Sequence, residues 1–581
     1  MTTLVAATIF LAAAAQPAAR RFDLARNFFA DDAAEARDRE QVSGQFRRLL
    51  VLAPDAARSA AKLEVALNLW SENERRFRLH DLYFFARSAV NTEDRHEAEV
   101  AALRQSRRQA TRAVRDAICA APEGRLEGFL RRGSRLSRFA WFVHSIRGEC
   151  RHRPSAPAQS AIDRYEFVFD PSFYFDTVGE TQFGSVRSSR GATLDVLKDQ
   201  GALLADPSPA VREETDRKLW AGYAAHGELF AHGLAQIVKA CNARARLASY
   251  PSCEEQALAG EELSGPLLRR WYEQIAASWP WARTVPDAAS MEPLGLRFSF
   301  DEAADIIGRA VAPLGDEYQR ETAALLDPRN GRIDVEGGPH RLPMQGTASV
   351  DPIGTSIFYA FHFDGNYIDL MLLAHEAGHA VQAMMMRRAG VPTLNGRGAA
   401  WMTESFGRFN ELLVADYLVR TADDVARSAL LRRELLRRAF VLYGAATEGA
   451  VELALHDSIA RGGRISPAAF SELTRTAGSR FSDRFRREQD ALLWTRVESY
   501  FADPLHSTTS MMSSLLALIL YRDFRRSPDR FVPAYAKLLR NGYDAPSAQL
   551  LKRFLSIDLT DETLGDQAID ALKEIAVAFR P

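Results

Sequence analysis

One stretch limits what this chain can become: Asn366 to Gly390, NYIDLMLLAHEAGHAVQAMMMRRAG. Apolar Ile368, Leu372, Ala374, Val381 and Met385 recur at three- and four-residue steps, and Gly390 followed by Pro392 supplies a stop. The stretch therefore reads as one helix. Inside it lies His375-Glu376-x-x-His379. Histidines four apart stack on one helix face, where two imidazoles can grip a single ion. Glu376 stands beside the first of them, placed to take a proton from metal-bound water. Ala377 and Gly378, between the histidines, are small enough to let another element pack close. The competing reading is a buried helix whose histidines bond to carbonyls, and a third ligand decides between the two. At the close spacings where other HExxH helices find that ligand stand Gln382, Met385 and Ala399, which do not fit.

The chain has 581 residues, 47% of them hydrophobic, and a formal net charge of -1. That length supports a large core in two lobes, and the neutral balance argues against nucleic acid as a partner. Basic runs at Arg104–Arg115 and Arg432–Arg438 fall at helical spacing among apolar residues and read as solvated helix faces. Residues 1–19 read as a secretory leader: the apolar run Leu4–Ala15 is too short to span a bilayer, and Ala15, Ala18 and Ala19 suit cleavage. Its n-region lacks Lys and Arg, so a cytoplasmic location is the alternative to a periplasmic or secreted one. Export without a lasting membrane anchor would make the four cysteines an even set, expected as Cys119–Cys150 and Cys241–Cys253.

Helical periods continue through 47–70, 80–88, 97–121 and 124–146, and resume over 194–204 and 209–250. Residues 153–191, rich in aromatics and turn formers, break the pattern and read as an irregular connection. Residues 333–363 have β propensity, and a small sheet there could hold an extended peptide at its edge. After residue 404 helices run on to 461, and Ser466-Pro467 starts another.

Beyond the motif, Glu404 opens the segment Glu404-Ser405-Phe406-Gly407-Arg408-Phe409-Asn410-Glu411. Its distance from His379 and its form resemble the thimet oligopeptidase and oligoendopeptidase F family, where a ligand Glu begins a run like ExxSxxNE. Gly407 replaces the usual Ser. The segments 208–258 and 534–579 also resemble that family, while the link over 278–319 looks shortened, so the likeness covers most of residues 22–578. It implies a mainly α, two-lobed helical zincin-type peptidase with a small β-sheet beside the HExxH helix and a deep channel between lobes. The implied division is 20–195 for an N-terminal helical lobe and 196–581 for a catalytic lobe. One Zn2+ would be held by His375, His379 and Glu404, leaving a fourth position for water. Glu376 would be the general base, and short oligopeptides the substrates.

The likeness fails in one place. Family members carry a His and tyrosines that bond the developing oxyanion, in a run like HFYxPFYxYxY. Here Tyr500 to Ser510 reads YFADPLHSTTS. With Phe501 and Pro504 fixing the register, Tyr500 takes the His place and His506 a tyrosine place. His506 or Tyr500 would donate from an altered geometry, or the protein would bind zinc and peptide with weak turnover. Glu411, two turns along the helix from Glu404, reads equally as a residue that orients a ligand or as a surface or core-edge carboxylate.

Overall fold

Helix runs through most of the molecule, as the 3.6-residue patterning demands. The computed structural model describes residues 20–131, 134–168, 172–285, 295–342, 347–349 and 356–579. The expected leader, residues 1–19, and parts of the β-prone 333–363 stretch lie outside the described residues.

The first helices, Asp32–Leu52, Ala60–Val90, Glu97–Ala120 and Ala140–Cys150, build a core of their own around Phe46, Leu67, Val114, Ile118 and Val143. The single helix expected over 47–70 is divided. Pro54, which can neither donate its nitrogen nor tolerate a preceding helical turn, opens a 3-10 stretch at Ala53–Arg58. Ser59 then caps the long helix Ala60–Val90 by accepting the Lys62 amide, and this helix absorbs the one expected over 80–88.

A second, much larger core joins residues 241–579 and contains the motif helix. A third packs Tyr174, Phe183, Val196 and Phe230 against Val451, Trp494 and Phe501. The expected division after residue 195 falls within this third cluster. The stretch 153–191, expected to be irregular, instead contains the helices Ala156–Val168 and Ser172–Glu180. Aromatics that look like turn or strand formers are used for packing here: the Tyr174 ring stacks on Phe501 at 4.4 Å, and the Phe173 ring lies against Gly233. Over 194–204 the chain forms a strand, Thr193–Asp195, paired with Ser185–Arg187, before a short helix, Gln200–Leu204.

The expected small sheet exists. Its order places Ile357–Tyr359 in the middle, parallel to Ile333–Asp334 and antiparallel to Thr347–Ser349. Thr347–Ser349 packs against the motif helix. Among the described residues no helix is long and apolar enough to cross a membrane.

Both expected disulfides are formed. Cys119–Cys150 ties the C-terminal ends of two helices, and Cys241–Cys253 ties the helix Gly227–Leu247 to the start of Cys253–Gly260. The first closes a 31-residue separation. Loop-closure entropy makes such a bond worth about 3–4 kcal/mol. Urea unfolding of the Cys119→Ala/Cys150→Ala variant should show that loss against the oxidised protein; an unchanged midpoint would show that the bond does not form.

Candidate metal centre

The motif helix runs from Tyr367 to Arg388. It starts where Asn366 and Asp369 cap one another's amides, and the chain turns away at Gly390, whose φ is +72°. The helix carrying Glu404 runs from Ala400 to Arg420, with its first amide, from Ala400, donated to the Glu261 carboxylate at 2.7 Å. These two helices cross almost backbone to backbone. A Cβ on Gly378 would lie 2.9 Å from the Phe406 carbonyl oxygen and 3.0 Å from the Gly407 Cα. A Cβ on Gly407 would meet three atoms of the His375 ring at 2.8 Å. Asn410 pins the crossing, donating to the Ala374 carbonyl (3.1 Å) while accepting from the Tyr318 hydroxyl (2.8 Å).

The crossing brings three donors together. His375 Nε2 is 3.1 Å from His379 Nε2 and 3.2 Å from Glu404 Oε2, and His379 Nε2 is 3.5 Å from Glu404 Oε1. Zinc bonded to nitrogen and oxygen at about 2.05 Å in a tetrahedron sets donor atoms about 3.3 Å apart. The two imidazole nitrogens lie at that spacing, one ligand atom from each of the three residues falls within 4.8 Å of the others, and the donor set of two imidazoles and one carboxylate suits zinc chemistry.

The local field favours a cation. Burial opposes charge on His375, yet its contacts with Glu404 and Glu411 hold it up to about 10. Burial and the neighbouring charge of His375 push His379 down to about 4. Burial would raise Glu404, but His375, His379 and Arg408 hold it down to about 2. Behind the donors, Glu411 divides its carboxylate: Oε1 meets His375 Nδ1 at 2.7 Å and Oε2 accepts from Arg438 Nη1 at 2.7 Å. Glu411 thus takes the first of its two expected roles, lying on the far nitrogen of His375 and leaving Nε2 toward the donor set. Glu376 is half-buried one residue on from His375 in the motif helix.

The other two expected catalytic residues separate. Tyr500 is fully buried in the third core, and its only hydroxyl proton goes to the Glu448 carbonyl at 2.6 Å. His506 opens the helix His506–Arg526, with its ring half-exposed and Nδ1 3.1 Å from an Asp503 carboxylate oxygen. The Asp503 contact raises His506 against burial, and the Glu404 and Glu452 carboxylates add to the rise.

No protein-family model matches the chain. It is 22% identical to the oligopeptidase PepF of Bacillus subtilis over 346 residues, which is 55% of this chain and 50% of that protein. It is 24% identical to a plasmid oligoendopeptidase F of Lactococcus lactis subsp. cremoris over 251 residues, 40% of this chain and 41% of the relative. In fold it matches the crystal structure of an oligoendopeptidase-F from Enterococcus faecium with a TM-score of 0.65, covering 94% of this chain and 98% of that one at 15% identity. The chain is similar in sequence to curated oligoendopeptidase F proteins and shares the fold of the solved one. It spans about half the length of the curated relatives it matches.

Against the oligoendopeptidase F pattern, Gly407 acquires a reason: the His375 ring occupies the space that a side chain there would fill. One supporting residue escaped the sequence. Arg438 belongs to a run expected to be a solvated face, yet it lies against Glu411. Its position offered a signal, since Leu431 and Leu435, seven and three residues before it, are buried on the same side of the helix. Gly407→Ala should push the His375 ring off the donor set and weaken metal binding by 10-fold or more, on the scale of lost ligand support. Metal content after dialysis against a competing chelator measures this; full retention would show that the crossing tolerates a Cβ.

Proposed function

We propose that this protein is a zinc-dependent endopeptidase acting on short, unstructured oligopeptides in a channel between its lobes. The observation that carries the reading is the donor set of His375, His379 and Glu404, drawn from two helices and gathered within 4.8 Å. The oligopeptidase names of its homologues support peptides as the substrate class. Zinc in that set would polarise the scissile carbonyl and lower the pKa of its water.

The chain's own residues do the rest. His375 and His379 present Nε2, and Glu411 fixes the His375 ring from behind. Glu376 takes the proton of the attacking water and hands it to the leaving amine. An extended substrate adds to the edge strand Thr347–Ser349, which runs beside the motif helix. His506 donates to the oxyanion, since the Tyr500 proton is already engaged by Glu448. The two disulfides and the leader pattern favour an exported protein, periplasmic or secreted. A second reading, a zinc- and peptide-binding homologue with weak turnover, draws on the same Tyr500 contact, because it leaves His506 as the one donor of the expected pair.

Mass spectrometry of the purified protein should find one zinc per chain, and a quenched peptide library should be cleaved. Glu376→Gln should keep the zinc and the peptide affinity but lose at least about 100-fold in turnover, because an amide accepts no proton. Activity retained in that variant would place the base elsewhere; zinc and peptide bound without wild-type cleavage would favour the second reading.

His506 gives a pH signature. Its charged form is complete below its pKa, which is raised above the ordinary value of about 6.5. Donation by the imidazolium is lost as pH rises through that raised value, so kcat should fall there. His506→Ala should remove this limb and lower kcat about 10²–10³-fold with little change in KM. A kcat within about threefold of wild type would exclude His506 as the donor.

A further inference from the structure

We infer that Arg438 is a positioning residue of the metal centre: it fixes the Glu411 carboxylate, and through it the ring of His375. The inference rests on the proposed zinc site. Arg438 lies at the end of a third helix, Val425–Ala439, which supplies no ligand. Its guanidinium nevertheless reaches both helices that do. Nη1 donates to Glu411 Oε2 at 2.7 Å, and the guanidinium carbon sits 5.9 Å from the centre of the Tyr367 ring, at the first turn of the motif helix. Glu411 and Arg438 are both largely withdrawn from solvent, with side chains 11% and 19% exposed.

The reason for a cation here follows from how Glu411 is used. Each of its oxygens has one charged or polar partner, His375 Nδ1 on one side and Arg438 on the other, so its plane is set from two directions. A carboxylate held in this way keeps the Nδ1 proton of His375 toward itself, so the proton that a bound cation would displace is the one on Nε2. Without Arg438 the carboxylate would face a small cavity of about 20 Å³ lined by Leu412, Ala439, Val441 and Leu518 as well as Arg408. Arg408 also lends its charge to Glu411, but its Nε is given to Ser513 Oγ at 2.9 Å, which anchors its guanidinium toward the helix His506–Arg526. Glu411 would then be free to rotate, and His375 with it.

The test is zinc affinity, measured by competition with a chromophoric chelator, for wild type, Arg438→Met and Arg438→Lys. Arg438→Met should bind zinc 10–100-fold more weakly, the usual consequence of losing support behind a ligand. Arg438→Lys keeps a charge but not the planar fork, and should recover part of that loss. The thermal midpoint of each metal-free protein separates this from general destabilisation, which would lower the midpoint and leave the affinity of the folded protein unchanged. Zinc bound by Arg438→Met within threefold of wild type overturns the inference alone. Should that variant not fold, Arg438→Ala takes its place, and zinc bound by it within threefold of wild type overturns the inference. Wild-type protein that binds no zinc overturns the proposed site, and this inference with it.

Discussion

Two helix backbones touching at Gly378 and Gly407 make the site possible. Helices packed through ordinary side chains keep their axes about 8–10 Å apart. A glutamate on one and histidines on the other would then need extended, loosely held side chains to share an ion. Glycine at both crossing positions removes that spacer, and the Gly407 position is taken by the His375 ring itself. Trp401, Phe406 and Phe409 bury the outer faces of the Glu404 helix, so the approach is held by packing and not by the ligands alone. The donor distances are thereby set by helix packing.

Such a site works against stability elsewhere. Glu404, Glu411, Arg438 and the two histidines place ionisable groups where water is scarce, and pairing seldom repays the whole desolvation cost. The surrounding core offsets this through its size: the cluster that contains the motif helix draws on residues from Cys241 to Phe579. The candidate site is thus a buried electrostatic centre carried by a large, ordinary apolar interior.

What was legible in the sequence follows from the range of the interactions involved. The motif helix, its Asn366 cap and its Gly390 end are written in local residues, and they appear where the pattern put them. The meeting of His375, His379 and Glu404 was also legible, the histidines from one helical period and Glu404 from the family resemblance of its segment, while the sequence leaves Glu411 open between two readings. Pro54 dividing the first long helix is a local signal that apolar periodicity outweighed. The helices of 156–180 were hidden because their aromatics serve contacts made with residues over three hundred positions away, such as Tyr174 with Phe501. Arg438 was hidden for a related reason: a basic run looks solvated until the partner carboxylate is brought to it by another helix.

The small sheet shows how a distant part of the chain can bear on the site. Ile333–Asp334 is an edge strand by its order in the sheet, and an unpaired edge invites another extended chain. Residues 20–23 lie along it in the opposite sense: the Val335 amide donates to the Arg20 carbonyl and the Asp23 amide to the Gly331 carbonyl. Side chains reinforce the pairing, with the Phe22 amide given to the Asp334 carboxylate and Arg21 paired to Glu336. Gly331, at a φ of +69°, permits the close approach, since a Cβ there would lie 2.5 Å from that of Asp23. Thr347–Ser349, on the opposite edge, lies beside the motif helix. An extended peptide that pairs with this sheet therefore meets a covered edge on one side and the metal centre's helix on the other. Under the proposed function, the pairing of 20–23 leaves the Thr347–Ser349 edge as the one at which such a peptide would add.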